Sequence, residues 1–172
     1  MSSVIQAITG VSSGTENVIM TVYPSISGRG LGQLIGLLMN SVPLRIGGVR
    51  LSNLVFGLPL APLGAIGYLA EKVIGDKYIL TNRSVEQWKA TGGRMLSDIP
   101  LESIASIELD EQWGQDFYYA ADLLLVDAKG TVLTRLKAVT RPDVFRQTIL
   151  EARDARMQVT ATMELIQARK KA

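Results

Sequence analysis

The sequence predicts an α+β protein in which an apolar helical hairpin precedes an antiparallel β-domain closed by a long C-terminal helix. Charge is distributed unevenly, since residues 1–75 contain six charged residues and residues 76–172 contain 28. The hydrophobic fraction of 47% is also high for a soluble protein of 172 residues. The first part therefore has the composition of a membrane-attached segment, and the second that of a domain in water.

The composition excludes several function classes. The chain has no Cys and no His, so disulfides, thiol nucleophiles, Cys/His zinc sites and histidine relays are excluded. Residues 76–172 contain 14 basic and 14 acidic residues, which is not the basic excess that nucleic-acid binding requires. We therefore expect no catalytic residues, no cofactor, no metal and no nucleic-acid partner.

The chain divides into four predicted segments. Residues 1–15 lack the basic start of a secretory signal and are interpreted as a flexible leader. Residues 16–75 contain a short strand and the glycine-rich membrane hairpin. Residues 76–152 form the β-rich domain, and residues 153–172 extend its last helix into a basic tail.

Two uncharged runs predict the hairpin. Leu51–Ala70 spans 20 residues, which as a helix would extend ~30 Å, enough to cross a hydrocarbon core. Leu31–Leu44 is shorter, and Arg45 and Arg50 between the runs indicate an aqueous turn because arginine is costly inside lipid. Pro59 and Pro62 predict a kink or break, so the longer run either packs on a neighbour or enters the bilayer and returns.

Glycines suggest how the two helices would pack. Gly28, Gly32 and Gly36 recur every four residues, a spacing that allows close approach of a second helix, and Gly57 and Gly64 are candidates for the matching surface. The alternative is a soluble, self-associating structural protein whose glycine-rich helices pack between subunits. Whether the hairpin spans or only enters the bilayer stays open.

Short alternating runs between turn signals predict about six antiparallel strands after Gly75. Ser103–Asp110 alternates, with Ala105, Ile107 and Leu109 expected on one face. The strand runs and their two turns cover residues 77–89, 91–94 (turn), 95–99, 103–110, 121–126, 127–130 (turn) and 131–139.

A long helix is predicted after the last strand. Thr140-Arg141-Pro142-Asp143 supplies a cap candidate, a proline near the first turn and an acid where the helix dipole favours one. An apolar face continues to the basic residues 169–171 over roughly 28 residues, and its first half suffices to cover a small β-domain.

These motifs resemble the bacterial pleckstrin-homology (PH)-like domain family, in particular its membrane-associated members. The resemblance covers about residues 16–152 and is carried best by Thr81-Asn82-Arg83 and Ile99-Pro100-Leu101, with "ENVIMTVYPS" ahead of the hairpin and "PDVFRQTI" opening the last helix. It implies a PH-like antiparallel barrel or sandwich on a membrane stem. It also implies an adaptor or scaffold rather than an enzyme.

The predicted partners are membrane lipid and an unidentified protein, with a homo-oligomer possible. The expected location is the bacterial inner membrane with the β-rich domain in the cytoplasm. Trp88, Trp113, Tyr118 and Tyr119 are expected to pack at the core or its rim, with a position at the lipid interface as the alternative. The candidate membrane-surface contacts are five cations: Lys89, Arg94, Arg169, Lys170 and Lys171.

Overall fold

The structure, a computed structural model, describes residues 16–171, with the side chains of residues 164, 165, 167, 170 and 171 left out. It confirms an α+β protein with antiparallel sheets, an apolar helix and a long C-terminal helix. The leader predicted over residues 1–15 lies outside the described residues.

The strands form two main sheets and one small ladder. The first sheet has the order β1-β4-β5-β6, the second β7-β8-β9, and β2 pairs only with β3. The elements are β1 (Val18–Val22), α1 (Gly30–Asn40), β2 (Arg45–Ile46), β3 (Val49–Arg50), α2 (Leu51–Ile74), β4 (Asp76–Thr81), β5 (Ser84–Lys89), β6 (Met95–Pro100), β7 (Ser106–Asp110), β8 (Ala120–Val126), β9 (Val132–Thr140) and α3 (Pro142–Lys171).

The helical hairpin is inserted into the first sheet rather than placed before it. β1 pairs antiparallel with β4, with Val22 opposite Tyr78, so the chain leaves the sheet after β1 and returns through α2. Ser25 then donates its N–H to the Ala138 carbonyl at 2.8 Å, which joins the start of the hairpin to the second sheet. The predicted boundary at residue 75 therefore separates two neighbouring strands of one sheet.

The core lies between the two sheets and the first half of α3. Phe145 and Ile149 on α3 are fully buried against Leu80, Leu123 and other apolar residues of both sheets. This arrangement confirms that α3 covers the sheets. The sheets are open and do not close into a continuous hydrogen-bonded barrel within residues 16–171, so the barrel form of the prediction is not observed.

Several strand predictions need correction. Residues 77–89 are two strands rather than one run, because the chain turns at Asn82-Arg83. The strand predicted over Ser103–Asp110 begins only at Ser106, because Leu101–Ser103 forms a 3-10 turn, so Ala105 precedes β7. Within β7, Ile107 is buried and Leu109 is exposed. The turns predicted at 91–94 and 127–130 are confirmed, and Gly92, Gly93 and Gly130 have positive φ there.

The turn of the hairpin is where the charges predicted it. Arg45 pairs with Arg50 across the β2–β3 ladder, and Gly47 and Gly48 take the positive φ angles of a tight turn. The expected break at Pro59 and Pro62 does not occur, since α2 runs unbroken from Leu51 to Ile74. Both prolines are exposed on α2, and the helix has 24 residues, or about 36 Å.

Candidate functional site

Helix α2, which the sequence analysis predicted as an apolar segment, has an exposed outer face. Within the most apolar 18-residue stretch of this helix no residue is buried, and Leu58 is 85% exposed. By length and composition α2 is able to cross a membrane. The exposed large apolar residues of this helix are Leu54, Val55, Leu58, Leu63, Ile66, Tyr68, Leu69, Val73 and Ile74.

The opposite face of α2 packs on α1. At one end the hydroxyl of Ser52, which is fully buried, donates to the Met39 carbonyl. At the other end Arg29 forms an ion pair with Glu71, whose residue is only 8% exposed. The two helices are therefore joined at both ends by polar contacts, with apolar contacts between them.

Helix α1 in turn lies directly on the β-domain. A Cβ on Gly36 would collide with the backbone of Gly114, and a Cβ on Gly32 would collide with the backbone of Ile26. Gly114 itself has φ +76° and its own added Cβ would collide with the Gln33 carbonyl. The close packing of α1 on the β-domain thus depends on glycines in both elements, Gly36 in α1 and Gly114 in the loop before β8.

The predicted glycine strip requires a correction. Gly28 lies in the 3-10 turn Ile26–Gly28 before α1, so it is not on the same helix as Gly32 and Gly36. Gly32 and Gly36 do permit close packing, but the nearest surfaces are the turn before α1 and the loop containing Gly114, rather than α2. A Cβ added to Gly57 would lie 3.9 Å from Cε of Met39 in α1, whereas a Cβ added to Gly64 would meet nothing within 4 Å.

Both ends of the hairpin contact the β-domain. Asn40, the last residue of α1, donates from Nδ2 to Oδ2 of Asp116 at 2.9 Å. At the opposite end Thr91, in the turn between β5 and β6, donates its hydroxyl to the Val73 carbonyl of α2. The hairpin consequently runs alongside the β-domain over its length instead of extending away from it.

The predicted surface cations do not form one cluster. Lys89 pairs with Asp76 at 2.6 Å, while Arg94 is exposed in the turn that contacts the end of α2. Arg169 is exposed near the end of α3. The side chains of Lys170 and Lys171 lie outside the described residues, although their backbone continues α3.

The aromatic residues divide between rim and surface. Trp113 is 83% exposed and lies beside Leu37 of α1, and Tyr119 is 81% exposed. Trp88 is half-buried and donates from Nε1 to Glu86 at 2.5 Å. Tyr118 is also half-buried, and desolvation raises the pKa of its phenol above the ordinary value.

Asp122 and Asp110 form hydrogen bonds and ion pairs within the second sheet and its preceding loop. Asp122 is 4% exposed and accepts hydrogen bonds from Gln115 Nε2, Arg135 Nε and the Ala138 N–H at 2.7–2.8 Å. The hydrogen bond that Arg135 donates to Asp122 raises the pKa of Arg135, which also pairs with Asp110. Among residues 16–171 no three His, Cys, Asp or Glu side chains are grouped so that they could hold a metal ion.

A groove that sequence reasoning missed lies between α2 and the β-domain. Its volume is about 800 Å³, within the usual range of ligand pockets. α2 contributes Leu60, Gly64, Tyr68 and Lys72, spaced four residues apart along one side of the helix. The remaining walls include Met20 and Val22 of β1, Ile26 in the following turn, Ile35 and Met39 of α1, Tyr118 before β8, and Arg141 and Val144 at the start of α3.

Neither a family model, nor a curated protein, nor a solved structure matches this chain. The geometry alone therefore defines its class. It is an α+β protein of two antiparallel sheets, with an inserted hairpin that exposes one helix long and apolar enough for a membrane.

Proposed function

We propose that this protein is a non-catalytic, membrane-attached, PH-like interaction module. The observation that carries the proposal is the exposure of α2, since no residue in its most apolar 18-residue stretch is buried. A large exposed apolar patch on a soluble monomer marks an interaction or membrane surface. Burying one leucine of this face in hydrocarbon contributes about 1.5–3 kcal/mol, so a few such residues suffice for stable attachment.

The contacts at both ends of the hairpin favour a helix lying in the plane of the membrane. If α2 crossed the bilayer, the part of the β-domain beside the middle of the helix would have to enter the hydrocarbon, including Arg141, which lines the same groove as Leu60 and Gly64. Charged groups in that position are costly. A helix that rests in the interface keeps the charged domain in water and the apolar face in lipid.

The PH-like part of the proposal rests on element order and on two motifs. Four strands, then three, then one long helix over the core follow the order that the resemblance implies. The two best-matching segments also meet, since Leu101 donates its N–H to the Arg83 carbonyl at 2.9 Å and Ser84 pairs with Pro100. Leu101 is fully buried, so this junction contributes to the core.

An adaptor role accords with the chemistry of the chain. A sequence without Cys or His lacks the groups most often used as nucleophiles and general bases. The second half of α3 offers Met157, Met163 and Ile166 on an exposed helix, a surface that suits a protein partner. The domain then faces the cytoplasm at a bacterial inner membrane.

The test is flotation of the full chain with phospholipid vesicles containing zwitterionic and anionic lipid. The variant L58E/I66E puts two charges on the outer face of α2, at residues 85% and 63% exposed. Its matched control, V132E/L109E, changes apolar residues that are 50% and 38% exposed on β9 and β7. Wild type and control should float, and L58E/I66E should lose at least tenfold in partitioning, because each 1.4 kcal/mol changes an equilibrium tenfold.

The same experiment separates the proposal from the soluble alternative. A wild-type chain that remains with the soluble fraction as a defined oligomer, and becomes monomeric in L58E/I66E, would assign the face to self-association. A chain that is monomeric in plain buffer and does not bind vesicles would overturn both membrane attachment and self-association.

A further inference from the structure

The groove beside α2 combines an apolar interior with positive charge. Lys72 and Arg141 both line it, and its lining contains no acidic side chain. Within residues 16–171 neither cation is engaged in an ion pair. An unpaired cation beside an apolar cavity favours a ligand with an anionic end and an apolar body.

A third feature of the groove is an unused hydrogen-bond donor. The hydroxyl of Tyr118 is buried and has no hydrogen-bond partner among the described residues. Leaving such a group unsatisfied is unfavourable, so native structures rarely do so without a reason. Because desolvation raises the pKa of this phenol, it stays protonated at neutral pH and remains a donor.

Both cations lie beside residues that also line the groove or adjoin it. Lys72 Nζ lies 4.8 Å from the centroid of the Tyr68 ring, and both side chains line the groove. Arg141 follows Thr140, whose hydroxyl donates to the Tyr23 carbonyl at 3.3 Å, and Tyr23 is also a lining residue. The backbone N–H of Arg141 donates to the Tyr119 carbonyl at 2.9 Å, which holds the start of α3 next to Tyr118.

We propose that this groove binds one acyl chain of an anionic amphiphile. The chain lies along Leu60 and Gly64 of α2, and the anionic head meets Lys72 and Arg141. The Tyr118 hydroxyl, which is closed to solvent in this structure, turns toward the groove and donates to an oxygen of the same head. The inference goes beyond the proposed function, because a single bound amphiphile does not require the outer face of α2 to contact a membrane.

Two alanines of α2 provide a matched pair of variants. Ala61 lines the groove, whereas Ala65, one turn further along, does not. Both side chains are exposed rather than packed in the core. A61W therefore fills the groove, and A65W adds the same bulk elsewhere on the same helix.

The experiment titrates anthroyloxy-palmitate into the full-length protein in maltoside micelles and counts bound molecules by native mass spectrometry. We expect saturable binding of one molecule, loss of that binding in A61W, and retention in A65W. Unlabelled palmitate and palmitoyl lysophosphatidylglycerol, used as competitors, distinguish a carboxylate from a phosphate head.

A separate set of variants tests whether binding requires the positive charges of Lys72 and Arg141. K72Q/R141Q should weaken palmitate binding by about tenfold or more, while leaving the weaker binding of methyl palmitate unchanged. K129Q, which alters an exposed lysine in the turn before β9, is the control. Y118F should reduce affinity for palmitate without changing the number of bound molecules.

Equal binding by A61W and A65W would overturn the proposal, because the amphiphile would then occupy another surface. So would equal affinity for palmitate and its methyl ester, or the absence of saturable binding. Vesicle flotation of A61W is measured in parallel, so failure of the groove and failure of membrane attachment are seen separately.

Discussion

Asn40 donates from Nδ2 to Oδ2 of Asp116 at 2.9 Å, which ties the far end of α1 to the loop before β8. A few residues before the start of α1, Ser25 donates its N–H to the Ala138 carbonyl of the second sheet at 2.8 Å. Because both ends are held, α1 is a layer between the β-domain and α2. The orientation of α2 follows from this arrangement.

The packing of α1 on the loop containing Gly114 depends on Gly36, and G36A should disrupt this packing. An added Cβ would collide with the Gly114 backbone, which no side-chain rotation relieves. We expect the free energy of unfolding to fall by about 1–3 kcal/mol, the usual cost of overpacking. Hydrogen exchange of the α1 amides should accelerate more than that of β8.

The matched control is G30A on the same helix, where an added Cβ meets nothing within 4 Å. This variant should be neutral or stabilised by about 0.4–1 kcal/mol, because alanine restricts the unfolded chain. Equal effects of G30A and G36A would contradict the packing of α1 on Gly114.

The proposed in-plane orientation of α2 predicts which side of the membrane the hairpin turn occupies. The chain contains no cysteine, so I46C in the turn and A128C in the β8–β9 turn each introduce one label site. Ile46 is 60% exposed, and Ala128 is also exposed. With the protein bound to sealed vesicles, a membrane-impermeant maleimide added outside should label both at similar rates.

A spanning helix gives the opposite result. In that case I46C would be labelled only after detergent opens the vesicles, while A128C would react at once. Labelling of the same variants in detergent alone controls for intrinsic reactivity.

Charge distribution and turn chemistry allowed much of this fold to be predicted. Arg45 and Arg50 marked the hairpin turn because charge is excluded from apolar layers, and Gly130 marked a turn because a positive φ favours glycine. The length of α3 followed from its apolar periodicity. These signals are local, so they can be recognised in a single sequence.

Long-range relationships could not be predicted in this way. The pairing of β1 with β4 joins residues separated by the whole hairpin, and nothing local in Val18–Val22 identifies its partner. The four-residue spacing of Gly32 and Gly36 indicated close packing but could not say that the neighbour is Gly114 rather than α2. The groove was missed because its walls come from five separate parts of the chain.

The buried carboxylate of Asp122 should be essential for stability. D122A removes the acceptor for Gln115 and for the Ala138 N–H, both buried, and leaves those donors unsatisfied. We expect a loss on the order of 3 kcal/mol in unfolding free energy, measured by urea denaturation. D110A removes the other partner of Arg135, a pair whose side chains are 39% and 37% exposed, and should cost less than about 1 kcal/mol. Similar losses in the two variants would contradict this division of roles.

Tyr78 predicts a dependence of stability on alkaline pH. Its ring is buried, and its hydroxyl donates to the Lys137 carbonyl at 3.1 Å and accepts from the Lys137 N–H at 2.9 Å. Desolvation raises the pKa of this phenol well above its ordinary value of 10.0. The native state therefore holds the proton more tightly than the unfolded state, so the stabilisation is complete below pH 10 and declines as the pH rises from there towards the folded-state pKa.

Y78F tests both consequences. At pH 8 it should be less stable by about 1–3 kcal/mol, because the Lys137 N–H loses its acceptor. Between pH 9 and 11 the stability of wild type should fall more steeply than that of Y78F, as followed by urea midpoints at each pH. Y119F alters a tyrosine that is 81% exposed and should match the wild-type slope. Parallel curves for wild type and Y78F would show that the Tyr78 phenol does not contribute to the alkaline loss of stability.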